Sequence, residues 1–258
     1  MNIMYANISG GLIFAGSVYG EMLFRKVSLE SYIAYFETKQ IDVLSLSEVH
    51  LEGKHKSEMT ERIAEALGMP YSAAMSLSPS FLDTGKQIGM SVISRYPITG
   101  QEEFIIPSPK IEVDRPNGEH WVMLDKGGQR VYLDIDGKKV AIVNFSYFPF
   151  HHFNRRVDEP EFKDVRMQLL DVLLVDPSVP TIVTGDFNCK GFKITDAFKE
   201  LFEDTKLKQA VKVSSTVVGA DDQLDHILYQ PHYFSAKDGF AELNDSDHLA
   251  IGATLQYK

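Results

Sequence analysis

Short apolar runs alternate with amphipathic stretches along the first third of the chain. Apolar and β-branched residues predict strands over 2–8 and 41–46, and a helical spacing of apolar residues predicts a helix over 29–36 between them. A second helix is predicted to begin after Ser57, which can cap it, and to stop at Gly68. The first third of the chain therefore alternates strands with helices.

Strands dominate the pattern further along the chain. A strand is predicted over 88–94, and Asp136-Gly137 between two apolar runs is a strong signal for a two-residue hairpin turn. The remaining predicted elements are an amphipathic helix over 162–173, a short helix over 194–201, and strands over 181–186, 224–229 and 249–256. Because the β-rich middle lacks crossover helices, we expect layered mixed sheets covered by helices, an α/β (α+β) fold, rather than a doubly wound one.

Composition restricts the class of protein. The chain has 258 residues and lacks a Pro-, Gly- or Ser-rich linker, which predicts a single domain over residues 1–258. Its hydrophobic share of 44% and charged share of 24% are typical of soluble globular proteins. The formal net charge of −10 argues against a long-range, sequence-independent grip on polyanions, although a local basic patch or bound cations would offset it.

The sequence also predicts where the protein works. Residues 12–24 are too few to cross a bilayer and include Glu21, and the N-terminus lacks the features of a signal peptide. The single cysteine, Cys189, cannot form an intrachain disulfide and is expected to be a small apolar filler. We expect a cytoplasmic protein with no stable membrane insertion and no obligate protein partner.

Polar side chains occur at the ends of several predicted strands. Asp186 and Asn188 follow the apolar run 181–184, and side chains two apart on an extended chain point the same way. Such a carboxylate and amide suit a phosphate and a hard cation. Glu48 and Asn7 also end predicted strands, where a solvated acid and a turn-forming amide are the plain alternatives.

Three further segments carry candidate chemistry. Asp225 begins an apolar strand, where a charged residue is unusual in a core. Asp247 precedes His248, so it could orient an imidazole that donates to a phosphate or moves a proton; a flexible acidic turn is the alternative. Tyr147 follows the second hairpin strand, where its hydroxyl could reach a phosphate, although buried aromatic residues usually belong to the core.

Taken in order, these segments resemble the endonuclease/exonuclease/phosphatase family, which includes deoxyribonuclease I and exonuclease III. The resemblance extends over residues 4–250 and its parts occur in the family's order. The matching segments are Asn7 in the first strand, the strand ending at Glu48, Gly89 to Ile98, Gly185 to Asn188, Leu224 to Ile227, and Ser246 to His248.

The resemblance implies a four-layer sandwich of two packed β-sheets between helices, as in deoxyribonuclease I. It also implies a Mg²⁺ site, where Mn²⁺ could substitute, with Glu48 as the main ligand and Asn7 and Asp247 nearby. Under this resemblance the other roles would be divided as follows: Asp186 positions or deprotonates the attacking water, Asn188 and His248 bind the phosphate, and Asp225 supports the site.

The sequence departs from the family pattern at two points. Ser47 precedes Glu48 where the family often has glutamine. The family's histidine or tyrosine after the hairpin strand falls at Tyr147 only in one register, and Ser146 is the competing residue. Beyond it, residues 150–156 form a basic and aromatic cluster, in which we expect Arg155 and Arg156 to bind the substrate's leaving side; a solvated helix entry is the alternative.

These features predict a Mg²⁺-dependent phosphoesterase that cleaves P–O bonds by direct attack of water. The substrate is a phosphate ester, and a nuclease acting on DNA or RNA is the leading form. A phosphatase or phosphodiesterase acting on a small or lipid-linked phosphate, of inositol phosphate or sphingomyelin type, is the main alternative, and an inactive binding module is the weaker one. The chain lacks the G-x-S-x-G and G-x-x-x-x-G-K-[ST] motifs of serine hydrolases and P-loop proteins.

Overall fold

Two six-stranded sheets pack face to face in the computed structural model, which describes residues 1–18, 21–173 and 176–258. The strands, in chain order, are β1 (Asn2–Asn7), β2 (Leu12–Val18), β3 (Glu21–Val27), β4 (Val43–Leu51), β5 (Tyr71–Pro79), β6 (Gln87–Ser94), β7 (Ile98–Ile106), β8 (Glu112–Asp114), β9 (His120–Val122), β10 (Lys126–Ile135), β11 (Lys138–Ser146), β12 (Thr181–Asp186), β13 (Lys208–Gln209), β14 (Asp225–Tyr229), β15 (Phe234–Glu242) and β16 (Ala250–Tyr257). The helices are α1 (Leu29–Glu37), α2 (Glu58–Ala66), α3 (Lys163–Leu173), α4 (Ile194–Ala197) and α5 (Lys199–Thr205).

Both sheets are mixed. The first has the strand order β15-β16-β1-β4-β6-β5 and the second β13-β14-β12-β11-β10-β7. Each contains one parallel pair, β1 with β4 and β11 with β12, while its other pairs are antiparallel. Small two-stranded sheets form from β2 with β3 and from β8 with β9.

The apolar core divides into three parts that define the layers. Val43, Val92 and Ile142 belong to the part between the two sheets. A second part joins the first sheet to α1 and α2, and a third joins the second sheet to α3, α4 and α5. This arrangement confirms the predicted four-layer sandwich with helices outside. Within the described residues, no helix has the length and apolar character needed to cross a membrane.

Two local predictions are confirmed by hydrogen bonds and backbone angles. The hydroxyl of Ser57 accepts a hydrogen bond from the backbone N–H of Thr60, as an N-cap does. Asp136 and Gly137 have φ angles of 53° and 79°, the positive values that a tight hairpin turn between β10 and β11 requires.

Several strands were not predicted. The segment after β1, expected to be a glycine-rich loop, forms the β2–β3 hairpin, with residues 19–20 outside the described part of the chain. Strand β7 was not predicted because Pro97, after the predicted strand 88–94, is typical of a strand end, yet a new strand begins at the next residue. It lies at the sheet edge, where it buries little, so its polar sequence carries a weak hydrophobic signal.

Candidate active site

The polar residues at strand ends meet at one edge of the sandwich. Asn7 ends β1, Asp186 ends β12, and Asp225 begins β14 directly opposite Asp186 in the antiparallel register. Because β16 runs antiparallel to β1, His248, two residues before β16, comes to the same edge. The sheet topology therefore brings residues from the beginning and end of the chain together.

Asp186 is fixed by its neighbours. Gly185 precedes it, and a Cβ at this position would lie 2.3 Å from the carbonyl oxygen of Phe145, so only glycine lets β12 approach β11. The carboxylate accepts hydrogen bonds from the backbone N–H of Asn188 at 2.8 Å and from its side-chain amide at 2.9 Å. Burial, followed by the charge of Asp225, raises the pKa of Asp186 from 3.8 to about 7.

Asn188 holds Asp186 in place. Its φ of 51° turns the side chain back toward the strand, where its amide also donates to the carbonyl of Tyr147 at 3.0 Å. Both amide hydrogens are therefore used within the protein. We expected Asn188 to bind the phosphate; in this arrangement it orients a carboxylate instead.

Asp225 and His248 form a buried ion pair. Asp225 Oδ2 lies 2.7 Å from His248 Nδ1, and the other carboxylate oxygen, Oδ1, is buried without a hydrogen-bond partner among the described residues. Burial alone would lower the pKa of His248, but Asp225, Asp247 and Asp186 outweigh it and raise that pKa well above its usual value. The imidazole is thus held as a cation, with Nε2 left for a ligand.

Asp225 therefore orients the imidazole, whereas the sequence pointed to the adjacent Asp247. Asp247 instead accepts hydrogen bonds from the hydroxyls of Ser9 at 2.5 Å and Ser246 at 3.0 Å. Ser9 follows β1 in a turn with positive φ and was not found by sequence reasoning.

Glu48 and Asn7 lie side by side, as predicted. Strand β4 continues past Glu48 to Leu51, and Glu48 occupies a bulge in it with a φ of 54°. The amide of Asn7 donates to Glu48 Oε1 at 3.0 Å, while its oxygen accepts from the backbone N–H of Ser9. Burial, followed by the charge of Asp247, raises the pKa of Glu48.

A lysine that sequence reasoning missed completes the charged cluster. Lys126 begins β10 and is half-buried. Burial lowers its pKa, which the charges of Glu48 and Asp186 partly offset, so the ammonium lies near both acids. Lys126 lies ten residues before the Asp136-Gly137 turn, at the far end of β10, so the hairpin signal did not point to it.

The cluster carries an excess of negative charge. Four carboxylates face two cations, His248 and Lys126, which leaves two negative charges when all groups are ionised. The raised pKa values of Glu48 and Asp186 express this imbalance. A divalent cation would neutralise it, and carboxylate and amide oxygens are the ligands that Mg²⁺ prefers.

A metal ion could bind to this cluster in the geometry observed. Asp186, Asp225 and His248 each bring one polar atom within 4.8 Å of the others, and of these the two carboxylates can coordinate a cation, since the protonated imidazole only donates hydrogen bonds. The orphaned Oδ1 of Asp225 is one oxygen still lacking a partner. Glu48, Asn7 and Asp247, the predicted ligands, lie on the first sheet's side of the same cluster. The donor set on both sides suits a hard cation.

The structure contradicts the prediction that the hydroxyl of Tyr147 reaches the phosphate. The ring packs edge-on against Phe148 and Phe198 in the core beneath the helices, and its hydroxyl is buried with no hydrogen-bond partner in the part of the chain that the structure describes. Residues alternate across the sheet, and Asn144 of β11 points to the facing sheet, so Ser146 shares its face and Tyr147 does not. Ser146, the competing residue, is the one directed to the site.

Arg155 and Arg156 also differ from expectation. Arg155 pairs with Glu159 and Glu161, and Arg156 makes two hydrogen bonds to Asp158, at 3.0 and 2.8 Å. Acids from the same loop therefore neutralise both guanidinium groups. Neither is the free cation that a substrate phosphate would need, and the alternative of a solvated helix entry describes them better.

Comparisons with known proteins identify the family of this chain. The model of the "Endonuclease/Exonuclease/phosphatase family" matches residues 4–248. A search of curated proteins gives no match to this sequence.

Solved structures share the fold at low sequence identity. An endonuclease/exonuclease/phosphatase from Beutenbergia cavernae is 20% identical with a TM-score of 0.67, covering 99% of this chain and 71% of that one. A family protein from Leptotrichia buccalis is 17% identical with a TM-score of 0.67, covering all of both chains. The mannosyl-6-phosphatase Bt3783 of Bacteroides thetaiotaomicron is 14% identical with a TM-score of 0.61, again covering all of both chains. Because the family model matches nearly the whole length, the chain belongs to the endonuclease/exonuclease/phosphatase family and is a phosphoesterase.

Proposed function

We propose that the protein hydrolyses its phosphate ester by direct attack of water, with Mg²⁺ held by Glu48, Asn7 and Asp247. The observation that carries the proposal is the buried excess of two negative charges at one sheet edge, which a divalent cation balances. Mg²⁺ bound there would neutralise the phosphate and the charge that develops on it. The remaining chemistry belongs to side chains of this chain.

Asp186 is the residue that positions the water and accepts its proton. Asn188 holds the carboxylate through two hydrogen bonds, so its orientation is set before substrate arrives. A general base works best when its pKa lies near the working pH, and the pKa of about 7 places Asp186 in that range. A bound cation would lower this value and keep the carboxylate ionised at neutral pH.

His248 is the residue that binds the phosphate. The Nδ1–H of His248 donates a hydrogen bond to Asp225 Oδ2 at 2.7 Å, which leaves Nε2–H to donate to a phosphate oxygen. Because the imidazole is held as a cation, this hydrogen bond is charge-assisted and strengthens as negative charge builds on the phosphate. Lys126 adds a second positive charge on the side of β10.

A compact phosphate ester suits this site best as the substrate. The chain carries a net charge of −10, and Arg155 and Arg156 are already paired, so a long polyanion would find little attraction beyond the site itself. The solved mannosyl-6-phosphatase has the same fold and acts on a substrate of this class.

A nuclease is the second candidate because a basic and aromatic cluster lies next to the site. Arg115 lies 4.4 Å above the Trp121 ring, and His152 packs edge-on against the same ring at 6.1 Å. Aromatic and guanidinium groups of this kind stack on nucleobases. The observation supports binding of a short nucleic-acid segment next to the site.

An activity panel tests both candidates. The purified protein would be assayed with sugar phosphates, inositol phosphates, sphingomyelin, abasic DNA, single-stranded DNA and RNA, each with Mg²⁺, with Mn²⁺ and with EDTA. We expect Glu48→Gln to lower kcat/KM by about 100-fold or more, and the exposed Glu61→Gln to leave it unchanged. Hydrolysis that persists in EDTA would reject the metal-dependent mechanism.

A further inference from the structure

Two buried hydroxyl groups meet directly before Glu48. Tyr5 of β1 and Ser47 of β4 are 0% and 2% exposed, and their hydroxyl oxygens lie 2.7 Å apart. The two strands are parallel neighbours in which Tyr5 pairs with Ser45, so the tyrosine side chain reaches forward along β4 to Ser47. Tyr5 belongs to the apolar core between the two sheets. This hydroxyl pair, Tyr5 and Ser47, therefore lies between the sheets and one residue from a predicted metal ligand.

The hydroxyl pair lies where β4 departs from regular pairing. Ser47 is opposite Met90 and Val49 is opposite Gly89 in β6, which leaves Glu48 as the extra residue of a bulge. Glu48 has a φ of 54°, and a residue other than glycine keeps such a conformation only where its surroundings hold it. The position of the Glu48 carboxylate therefore depends on what fixes the residues beside the bulge.

Three hydrogen bonds between the β1 side and β4 fix this bulge. The backbone N–H of Ile8 donates to the carbonyl of Ser47 at 3.1 Å, and the amide of Asn7 donates to Glu48 Oε1 at 3.0 Å. The hydroxyl pair supplies the third, and this is the bond that holds the Ser47 side chain. The residue before the bulge is thus held through both its backbone and its side chain.

Tyr5 compensates for the short side chain of Ser47. The family often has glutamine before the glutamate, and a serine cannot reach across the same space. In this chain Tyr5 brings a hydroxyl to Ser47 instead. Burial, followed by the charge of Asp225, raises the pKa of Tyr5 well above its usual value, so the phenol keeps its proton for this hydrogen bond. A phenylalanine would fill the core as well, so packing alone does not require the hydroxyl.

We propose that Tyr5 is a positioning residue: through Ser47 its hydroxyl holds the bulge that keeps the Glu48 carboxylate beside Asn7, in place to bind the cation. The role depends on the metal-dependent hydrolysis proposed above, and it adds a residue that touches neither the cation nor the substrate. Removing a group that orients a metal ligand typically weakens metal binding by about 10- to 100-fold.

Isothermal titration calorimetry with Mg²⁺ tests this role in the folded protein without turnover. We expect Tyr5→Phe to bind Mg²⁺ about ten-fold more weakly than the wild type, and Ser47→Ala, which leaves the ring untouched, to show a similar loss. The double variant Tyr5→Phe/Ser47→Ala should lose no more than either single variant, because all three remove the same hydrogen bond. In steady-state kinetics Tyr5→Phe should need about ten-fold more Mg²⁺ for half-maximal activity, while kcat at saturating Mg²⁺ stays within about three-fold of the wild type.

Two controls separate positioning from folding. Tyr229→Phe changes a buried tyrosine of the same core at the far end of β14, and it should leave the affinity for Mg²⁺ unchanged. Urea unfolding in EDTA should show that Tyr5→Phe and Ser47→Ala are folded under the conditions of the titration. If Tyr5→Phe failed to fold, Ser47→Ala would provide the test.

The outcomes distinguish this role from the proposed function. An affinity for Mg²⁺ equal to that of the wild type in folded Tyr5→Phe or Ser47→Ala would overturn the positioning role while the hydrolysis itself stands. Losses that add in the double variant would overturn it as well, since the two hydroxyls would then act separately. A wild-type protein that binds no Mg²⁺ and hydrolyses no phosphate ester would overturn the proposed function and this role with it.

Discussion

Replacing Asp186 by asparagine should stabilise the metal-free protein at alkaline pH while abolishing activity. The pKa of Asp186 is raised from 3.8 to about 7, so the folded chain binds this proton more tightly than the unfolded chain does. The associated stability is present at low pH and is lost as the pH rises through about 7. Asp186→Asn cannot ionise and escapes this loss.

The structure gives the size of the effect. Between pH 5 and pH 8 the unfolding free energy of the wild type falls by about 1.4 kcal/mol for each of two pH units, which is about 3 kcal/mol in all. The variant keeps this stability. The variant also places an amide NH₂ against the side-chain amide of Asn188, which costs about 1 kcal/mol at both pH values. The difference in unfolding free energy should therefore shift by about 3 kcal/mol in favour of Asp186→Asn as the pH rises.

Urea unfolding at pH 5 and pH 8 in EDTA measures this shift. The exposed Asp171→Asn on α3 is the matched control, since it removes the same charge away from the site. Saturating Mg²⁺ should stabilise the wild type more than Asp186→Asn at pH 8, because a ligand that binds only the folded state raises stability. A stability difference that does not change with pH would refute the reasoning.

Two further variants test corrections that the structure makes, and a third tests a link between the two sheets. Tyr147→Phe should leave kcat within about two-fold of wild type and should not lower the melting temperature, because it removes a buried hydroxyl without a partner; a large loss of kcat would return Tyr147 to the site. The double variant Arg155→Ala/Arg156→Ala should change KM less than about two-fold in steady-state kinetics, because both side chains are paired with acids of their own loop. A marked rise in KM would show that these arginines leave the acids and bind substrate. Asn144→Ala should cost about 2–4 kcal/mol in urea unfolding, because the amide donates to two carbonyls of the facing sheet; a cost below about 0.5 kcal/mol would contradict this link.

Much of the fold could be predicted because its buried strands have strong local signals. The strand over 181–186 and the hairpin at Asp136-Gly137 combine apolar runs with residues suited to a sharp stop or turn. Ser57 and Gly68 limit α2 for equally local reasons. By contrast, the edge strand β7 is largely polar and the β2–β3 hairpin lies in a glycine-rich segment, so neither carries a strong local strand signal.

The candidate site shows the same division. Asp186, Glu48 and Asn7 could be predicted because strand ends of a mixed sheet share one edge. The partner of His248 could not be predicted, because Asp225 lies 23 residues away from it in the chain. Only the register of β12 with β14 places Asp225 at the site. Whether Ser146 or Tyr147 faces the site likewise depends on the register of β11. A shift of one residue in this register would exchange the two faces of the strand.

Binding of Mg²⁺ measured by isothermal titration calorimetry tests the central claim most directly, since it asks whether the buried carboxylates form one cation site. At pH 7.5 the wild type should bind Mg²⁺, Glu48→Gln should bind it at least about ten-fold more weakly, and Glu61→Gln should match the wild type. Equal affinity in Glu48→Gln and wild type, or no binding by the wild type at millimolar Mg²⁺, would contradict the account.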